Sequence, residues 1–193
     1  MLTQQIISKE MLKNSQNELF FQNGGGVAMP VAGAIYWMIL SYLGTYLAKD
    51  LWILAACIGS GLIFPLALLL AKPLKCNVMN RDHPLSGVAF PVIIAMNLLW
   101  PLYFIAVEAN PDIMPLALAI GMSIVWPVIG WSYGRTLGFT VHALFRCFLV
   151  SIIWTVLPEE RFTLLPLSVS LIYMLTVAWI YYELKPKAEK VAA

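Results

Sequence analysis

Six runs of about twenty apolar residues follow one another along this chain, and no other feature constrains its fold as tightly. They lie near 27–48, 51–71, 87–107, 113–133, 137–157 and 163–183. Wound as α-helix, a run of this length spans the roughly 30 Å hydrocarbon layer of a bilayer. Lipid tails cannot satisfy backbone N–H and C=O groups, so a spanning segment must be a helix or part of a closed barrel. The short apolar–polar alternation of barrel strands is missing here. Composition agrees, with 61% of the residues hydrophobic and only 11% charged, against about 25% charged in a soluble domain. The expected fold class is all-α: a polytopic membrane helix bundle with six transmembrane helices in contact with the lipid bilayer.

Turn and charge signals separate the runs: Lys49-Asp50, the loop 72–84, Asn110-Pro111-Asp112, Gly134-Arg135 and Pro158-Glu159-Glu160-Arg161. The net charge of +2 says little, but its distribution fixes a direction. With both termini in the cytoplasm, Lys9, Lys13, Lys72, Lys75, Arg81, Arg135, Lys185, Lys187 and Lys190 lie inside. Only Lys49 and Arg161 lie outside, among Asp50, Glu108, Asp112, Glu159 and Glu160. The chain then divides into an N-terminal cytoplasmic or interfacial segment (1–23), the transmembrane domain (24–184) and a cytoplasmic tail (185–193). The first segment is polar and lacks the apolar core of a cleavable signal peptide, so the first span is expected to act as the targeting signal. Ile6, Ile7, Met11, Leu12, Leu19 and Phe20 make an imperfect helical stripe ahead of Gly24-Gly25-Gly26. Two readings stay open: an interfacial helix hinged by the glycines, or a tail with little fixed structure.

The chain carries no HExxH, no GxSxG, no paired membrane carboxylates and no glycine-rich phosphate loop. Its three cysteines, Cys57, Cys76 and Cys147, have neither CxxC spacing nor a histidine pair. The expectation is no enzyme, no catalytic residue, no metal and no cofactor. Basic residues follow the topology and are not interleaved with aromatics, so no nucleic-acid partner is expected. Arg81-Asp82-His83, beside Pro84, reads as a solvated turn.

Arg146 stands apart. Counted from Thr136 to Leu157 it is the eleventh of twenty-two residues, close to the bilayer centre. An arginine there costs about 2.5–3.5 kcal/mol on insertion scales. His142 precedes it by one helical turn on the same face. No Asp or Glu lies in the core of any span, so the guanidinium has no evident carboxylate partner. It can bind carbonyls freed by prolines or the amide of Asn97, snorkel to a headgroup, or hold an anionic ligand in a hydrated cavity. Prolines in the spans (Pro30, Pro65, Pro91, Pro101, Pro115, Pro127 and Pro166) each remove a backbone donor, and broken helices of this kind build sites in transporters. Trp100-Pro101 and Trp126-Pro127 fall on consecutive antiparallel helices, as a decayed repeat or as two interface-seeking tryptophans. Gly59, Ser60, Gly61, Ala117 and Gly121 read as close-packing surfaces.

HPLSG, NLLWPLYF and NPDIMPLALAIGMSIVWPVIGWSYG, through to the sixth span, resemble an uncharacterised bacterial family of small six-helix integral membrane proteins. The resemblance covers about the last two-thirds of the chain. It implies six helices in a bacterial inner membrane, with no assigned activity. In size and helix count the chain is also similar to the substrate-binding subunits of vitamin importers, a likeness of architecture alone.

The leading expectation is a binding, channel or transport protein for a small solute of polar or anionic character, with its site near the midplane. Arg146 would pair an anion, Asn97 would hydrogen-bond, Trp100 and Trp126 would form aromatic walls, and His142 would be a proton-sensitive contact. The alternative is a non-catalytic structural or regulatory subunit, a homo-oligomer or the partner of another membrane protein, acting through helix–helix contacts.

Overall fold

With no water to bond in the membrane, the apolar runs satisfy their backbones locally, and the described residues contain nine α-helices. The computed structural model describes the backbone of residues 2–191 and the side chains of residues 8–185. The helices are α1 (Leu2–Gln22), α2 (Ala28–Leu43), α3 (Lys49–Ala71), α4 (Ala89–Asn97), α5 (Trp100–Ala109), α6 (Met114–Gly121), α7 (Val125–Ser132), α8 (Thr136–Val156) and α9 (Leu164–Val191). Six stretches are long and apolar enough to cross a membrane: Gly24–Leu43, Lys49–Ala71, Pro84–Ala109, Pro111–Ser132, Thr136–Val156 and Leu164–Lys185. The third is made of α4 and α5, the fourth of α6 and α7. The all-helical, six-span fold class is thus observed.

The first span ends five residues before the expected boundary. At Gly44 the chain passes the loop after α8 so closely that a Cβ would sit 2.0 Å from the carbonyl oxygen of Phe162, and the helix stops there. Most of the prolines are also less disruptive than the sequence suggests. Pro30, Pro91, Pro115 and Pro166 stand in the first turn of a helix, where the missing N–H has no intrahelical partner to lose. Pro65 lies inside the continuous α3. Only Pro101 and Pro127 coincide with interruptions of a span.

α2 is the central helix, packed against both α9 and α3, while α8 contacts α6, α7 and α9. Trp37 and Trp52 are fully buried at the centre of this arrangement. Side-chain donors close it where polar groups enter the core. Trp52 Nε1 bonds Leu40 O at 2.8 Å, Tyr36 Oη bonds Ala56 O at 2.8 Å, and Ser170 Oγ bonds Ala34 O at 2.8 Å. Of the small residues, Gly59 seats Tyr36 and Gly121 seats Tyr103, so both serve packing within the chain, whereas Gly61 faces open space.

α1 docks at the end of the bundle where α7 meets α8. Leu19 and Phe20 are buried and Met11 and Leu12 exposed, whereas the Ile6 and Ile7 side chains of the expected stripe lie outside the described residues. Arg135 holds the joint. Its guanidinium carbon lies 4.1 Å from the Phe20 ring centroid, Nε bonds Glu183 at 2.9 Å, and Nη1 bonds both Asn17 and the Tyr133 carbonyl. Nearby, the Cys76 thiol donates to Asn23 O at 3.0 Å, and burial pushes its pKa above the ordinary thiol range. A thiol held neutral in this way is a packing group. His83 departs from the expected solvated turn: it is buried, accepts from Leu85 N through Nδ1 at 3.2 Å, and so caps the 3-10 turn that enters the third span. Arg81 and Asp82 beside it are exposed.

At the opposite end Asp112 receives both Lys49 and Arg161, the latter at 3.1 Å. The Trp154 indole, which Arg161 covers at 4.3 Å, donates to Asp112 O.

Candidate functional site

The two interrupted spans set the geometry. A proline N–H that does not exist cannot bond one turn back, so the chain tightens around each Trp-Pro pair. Before Pro101, Leu99 N bonds Met96 O at 3.1 Å. Before Pro127, Ser123 N bonds Ile120 O, Ile124 N bonds Gly121 O and Trp126 N bonds Ser123 O, at 2.9, 3.2 and 3.2 Å. These are three-residue steps, so each break is a short, tightened turn within a helical path.

Arg146 lies against the second break and is wholly buried. Its Nε donates to Ser123 Oγ at 2.7 Å, and Ser123 Oγ donates onward to Ala119 O at 2.7 Å. The guanidinium carbon sits 4.9 Å from the centroid of the Tyr173 ring, in cation–π range. Nη1 and Nη2 have no hydrogen-bond partner among the described residues. This corrects the partners expected from sequence. The carbonyl freed by Pro127 is already taken by Trp126 N. Asn97 is engaged elsewhere, donating to Ile93 O at 2.8 Å and accepting from Trp100 Nε1 at 3.2 Å.

His142 is buried beside Arg146 and contacts Thr176 Oγ1 through Nδ1. Thr176 spends its single proton on Ile172 O at 3.0 Å, so His142 Nδ1 must be the donor in that pair. Nε2 is left as a buried acceptor with no partner among the described residues. The imidazole packs on Trp126 and Tyr173 with ring centroids 5.2 and 5.4 Å away. Trp126 itself stacks on Phe139, and its Nε1 is a third buried polar group without a partner.

Next to this cluster is a cleft of about 570 Å³. One wall is α3, through Cys57, Ser60, Gly61 and Phe64, and the other is α4, through Phe90, Met96 and Asn97. Trp100, Met122, Trp126 and Tyr173 form its back, with Met29 and Gly33 of α2. α3 packs on α2 and α4 on α7, with no comparable packing between α3 and α4, so the cleft opens sideways between them.

Of the five residues singled out in the sequence, Asn97, Trp100 and Trp126 therefore line one cleft. His142 and Arg146 do not reach it and lie behind Trp126 and Tyr173, which belong to both groups. Sequence reasoning passed over Ser123, Tyr173 and Thr176. Tyr173 and Thr176 are three residues apart on the sixth span, and Ser123 precedes Trp126 by the same step. The spacing of Tyr173 and Thr176 places both on one helix face and is the signal that could have exposed them, whereas Ser123 lies in the turn between α6 and α7 and carries no such signal.

A family model matches residues 12–183 of the chain. No curated protein and no solved structure matches it.

Proposed function

The chain belongs to the family that this model describes, a family of unknown function designated DUF7010, and from the site geometry alone we propose that this multi-pass membrane protein binds a small solute, with channel or transport activity as the role such a site serves. One observation carries the proposal: a wholly buried guanidinium with two unpartnered nitrogens backs a ligand-sized cleft at the breaks of two spans. Clefts of roughly 300–1,000 Å³ with apolar walls and a few convergent polar groups are the usual form of small-molecule sites. Uncompensated charge in a membrane is expensive, and an acceptor from a ligand would compensate it. In this reading Asn97 and Trp100 form the polar edge of the wall, Trp126 and Tyr173 its aromatic back, and His142 and Arg146 the polar groups behind it.

Thermal denaturation in a panel of small anions and neutral solutes tests this. A ligand at a hundred times its Kd should stabilise the protein by about 2.7 kcal/mol, and the shift should vanish in Gly61→Phe, which fills the cleft. A panel that shifts both proteins equally places binding elsewhere.

A second reading, a subunit acting through helix contacts, is favoured by the spans Lys49–Ala71 and Pro84–Ala109. Only 11% and 6% of their apolar windows are buried within the chain, leaving faces for lipid, a second copy or a partner subunit.

For orientation we propose both termini in the cytoplasm of a bacterial inner membrane. In support, the two basic residues that break the charge bias, Lys49 and Arg161, both pair with Asp112. An impermeant maleimide applied to intact cells should label Glu159→Cys and leave Lys75→Cys unmodified. Outside labelling of Lys75→Cys would invert the topology.

A further inference from the structure

We propose that the ligand is an amphipathic organic monoacid, a carboxylate on an apolar ring or chain, bound with its body in the α3–α4 cleft and its head at Trp126 and Arg146. The inference deepens the solute-binding reading and rests on it.

The cleft wall asks for an apolar body. Phe64, Phe90, Trp100 and Met122 present aromatic and thioether surface. Two of the polar side chains in the wall are engaged with their own helices: Ser60 Oγ donates to Cys57 O at 2.7 Å, and Asn97 donates to Ile93 O and accepts from Trp100. A hydrophilic solute would find few free donors there, and its desolvation would go uncompensated. Of the lining residues, Trp126 carries a buried donor that stays unused, and Arg146 behind it carries two such nitrogens. These three, Trp126 Nε1 and the two Arg146 nitrogens, are without partners among the described residues, and Trp126 both lines the cleft and packs on His142 beside Arg146. A guanidinium with two unpartnered nitrogens fits an anionic acceptor head, and it matches a carboxylate with two parallel bonds.

Tyr173 covers the guanidinium and also lines the cleft. The head reaches Arg146 by displacing that ring, a rotamer change of the size that binding commonly brings. The sideways opening suits a molecule that already partitions into lipid. Phe64 and Phe90 are exposed at its lips, and a hydrophilic anion would not approach from that direction.

The test is calorimetric titration of the full chain in phosphatidylcholine nanodiscs, with empty nanodiscs as the partitioning background. The probes are 2-naphthoate, dodecanoate, acetate and 2-naphthalenemethanol. Saturable binding of 2-naphthoate or dodecanoate is expected, the pair telling ring from chain. Acetate, lacking the body, and 2-naphthalenemethanol, lacking the charge, should bind about tenfold more weakly or worse. Arg146→Lys should weaken the acid about tenfold. Gly61→Phe should abolish its binding with the melting temperature retained, because a side chain there meets only open space. If Arg146→Lys fails to fold, Gly61→Phe carries the test. Acetate binding as tightly as the larger acids, with the same dependence on Gly61 and Arg146, overturns the ligand class and leaves the solute site standing. Equal binding of 2-naphthalenemethanol overturns the acid head. Absence of saturable binding that Gly61→Phe removes overturns both.

Discussion

Gly25→Ala or Gly26→Ala should cost roughly 2–4 kcal/mol and free α1 from the bundle. Both glycines sit at φ +65°, in the left-handed region, where an alanine is strained by about 1–2 kcal/mol. There is also no room. A Cβ on Gly25 would lie 2.3 Å from Ile180 Cγ2, and one on Gly26 would lie 2.5 Å from the Tyr133 hydroxyl. The turn is thus a fitted joint that points α1 back under α7, where Phe20 meets Arg135 and Asn17 meets the same guanidinium. Hydrogen exchange should show protection lost across residues 8–22 while the six spans keep theirs, with a lowered melting temperature. Unchanged protection would mean that the glycines are an ordinary flexible link and that α1 holds on without them.

The same glycines show where the sequence is informative and where it is not. Three in a row announce a departure from helix, and that much was legible. Whether the departure is a loose hinge or a tight turn depends on what packs against it, and here Ile180 and Tyr133 arrive from distant parts of the chain. The spans were legible because length and apolar composition are one-dimensional properties, and membrane physics converts them into helices with little freedom. Pro101 and Pro127 break their spans for the same local reason. The partner of Arg146 was not legible. Ser123 becomes its acceptor only because α6 and α8 pack together with the turn after Gly121 facing inward. Helix neighbours and rotations decide that, and no spacing in the eighth helix encodes them. The cleft was half legible: Asn97 and Trp100 belong to one break and Trp126 to the other, yet Tyr173 joins them from a helix with no interruption at all.

Arg146→Leu should raise the stability of the bundle by roughly 1–3 kcal/mol while removing acid binding. The guanidinium is fully buried, has one hydrogen bond and a ring contact, and leaves two nitrogens unpartnered. Replacing a poorly compensated buried charge by a well-packed apolar side chain of similar volume is commonly neutral to stabilising, by about 1–4 kcal/mol. Against that stands the loss of the cation–π contact with Tyr173, worth about 0.5–2 kcal/mol. Ser123 does not become an orphan, because its hydroxyl still donates to Ala119 O. Arg146→Lys should behave differently: it keeps the charge, loses the planar fork, and so should lower both stability and binding. Chemical denaturation of the three proteins in one detergent decides the matter by sign. A leucine variant destabilised by about 3–5 kcal/mol would show that the arginine is a well-paired structural group. A leucine variant more stable than the wild type, and silent toward the acid, fits a charge retained for a ligand, since the fold alone is better off without it.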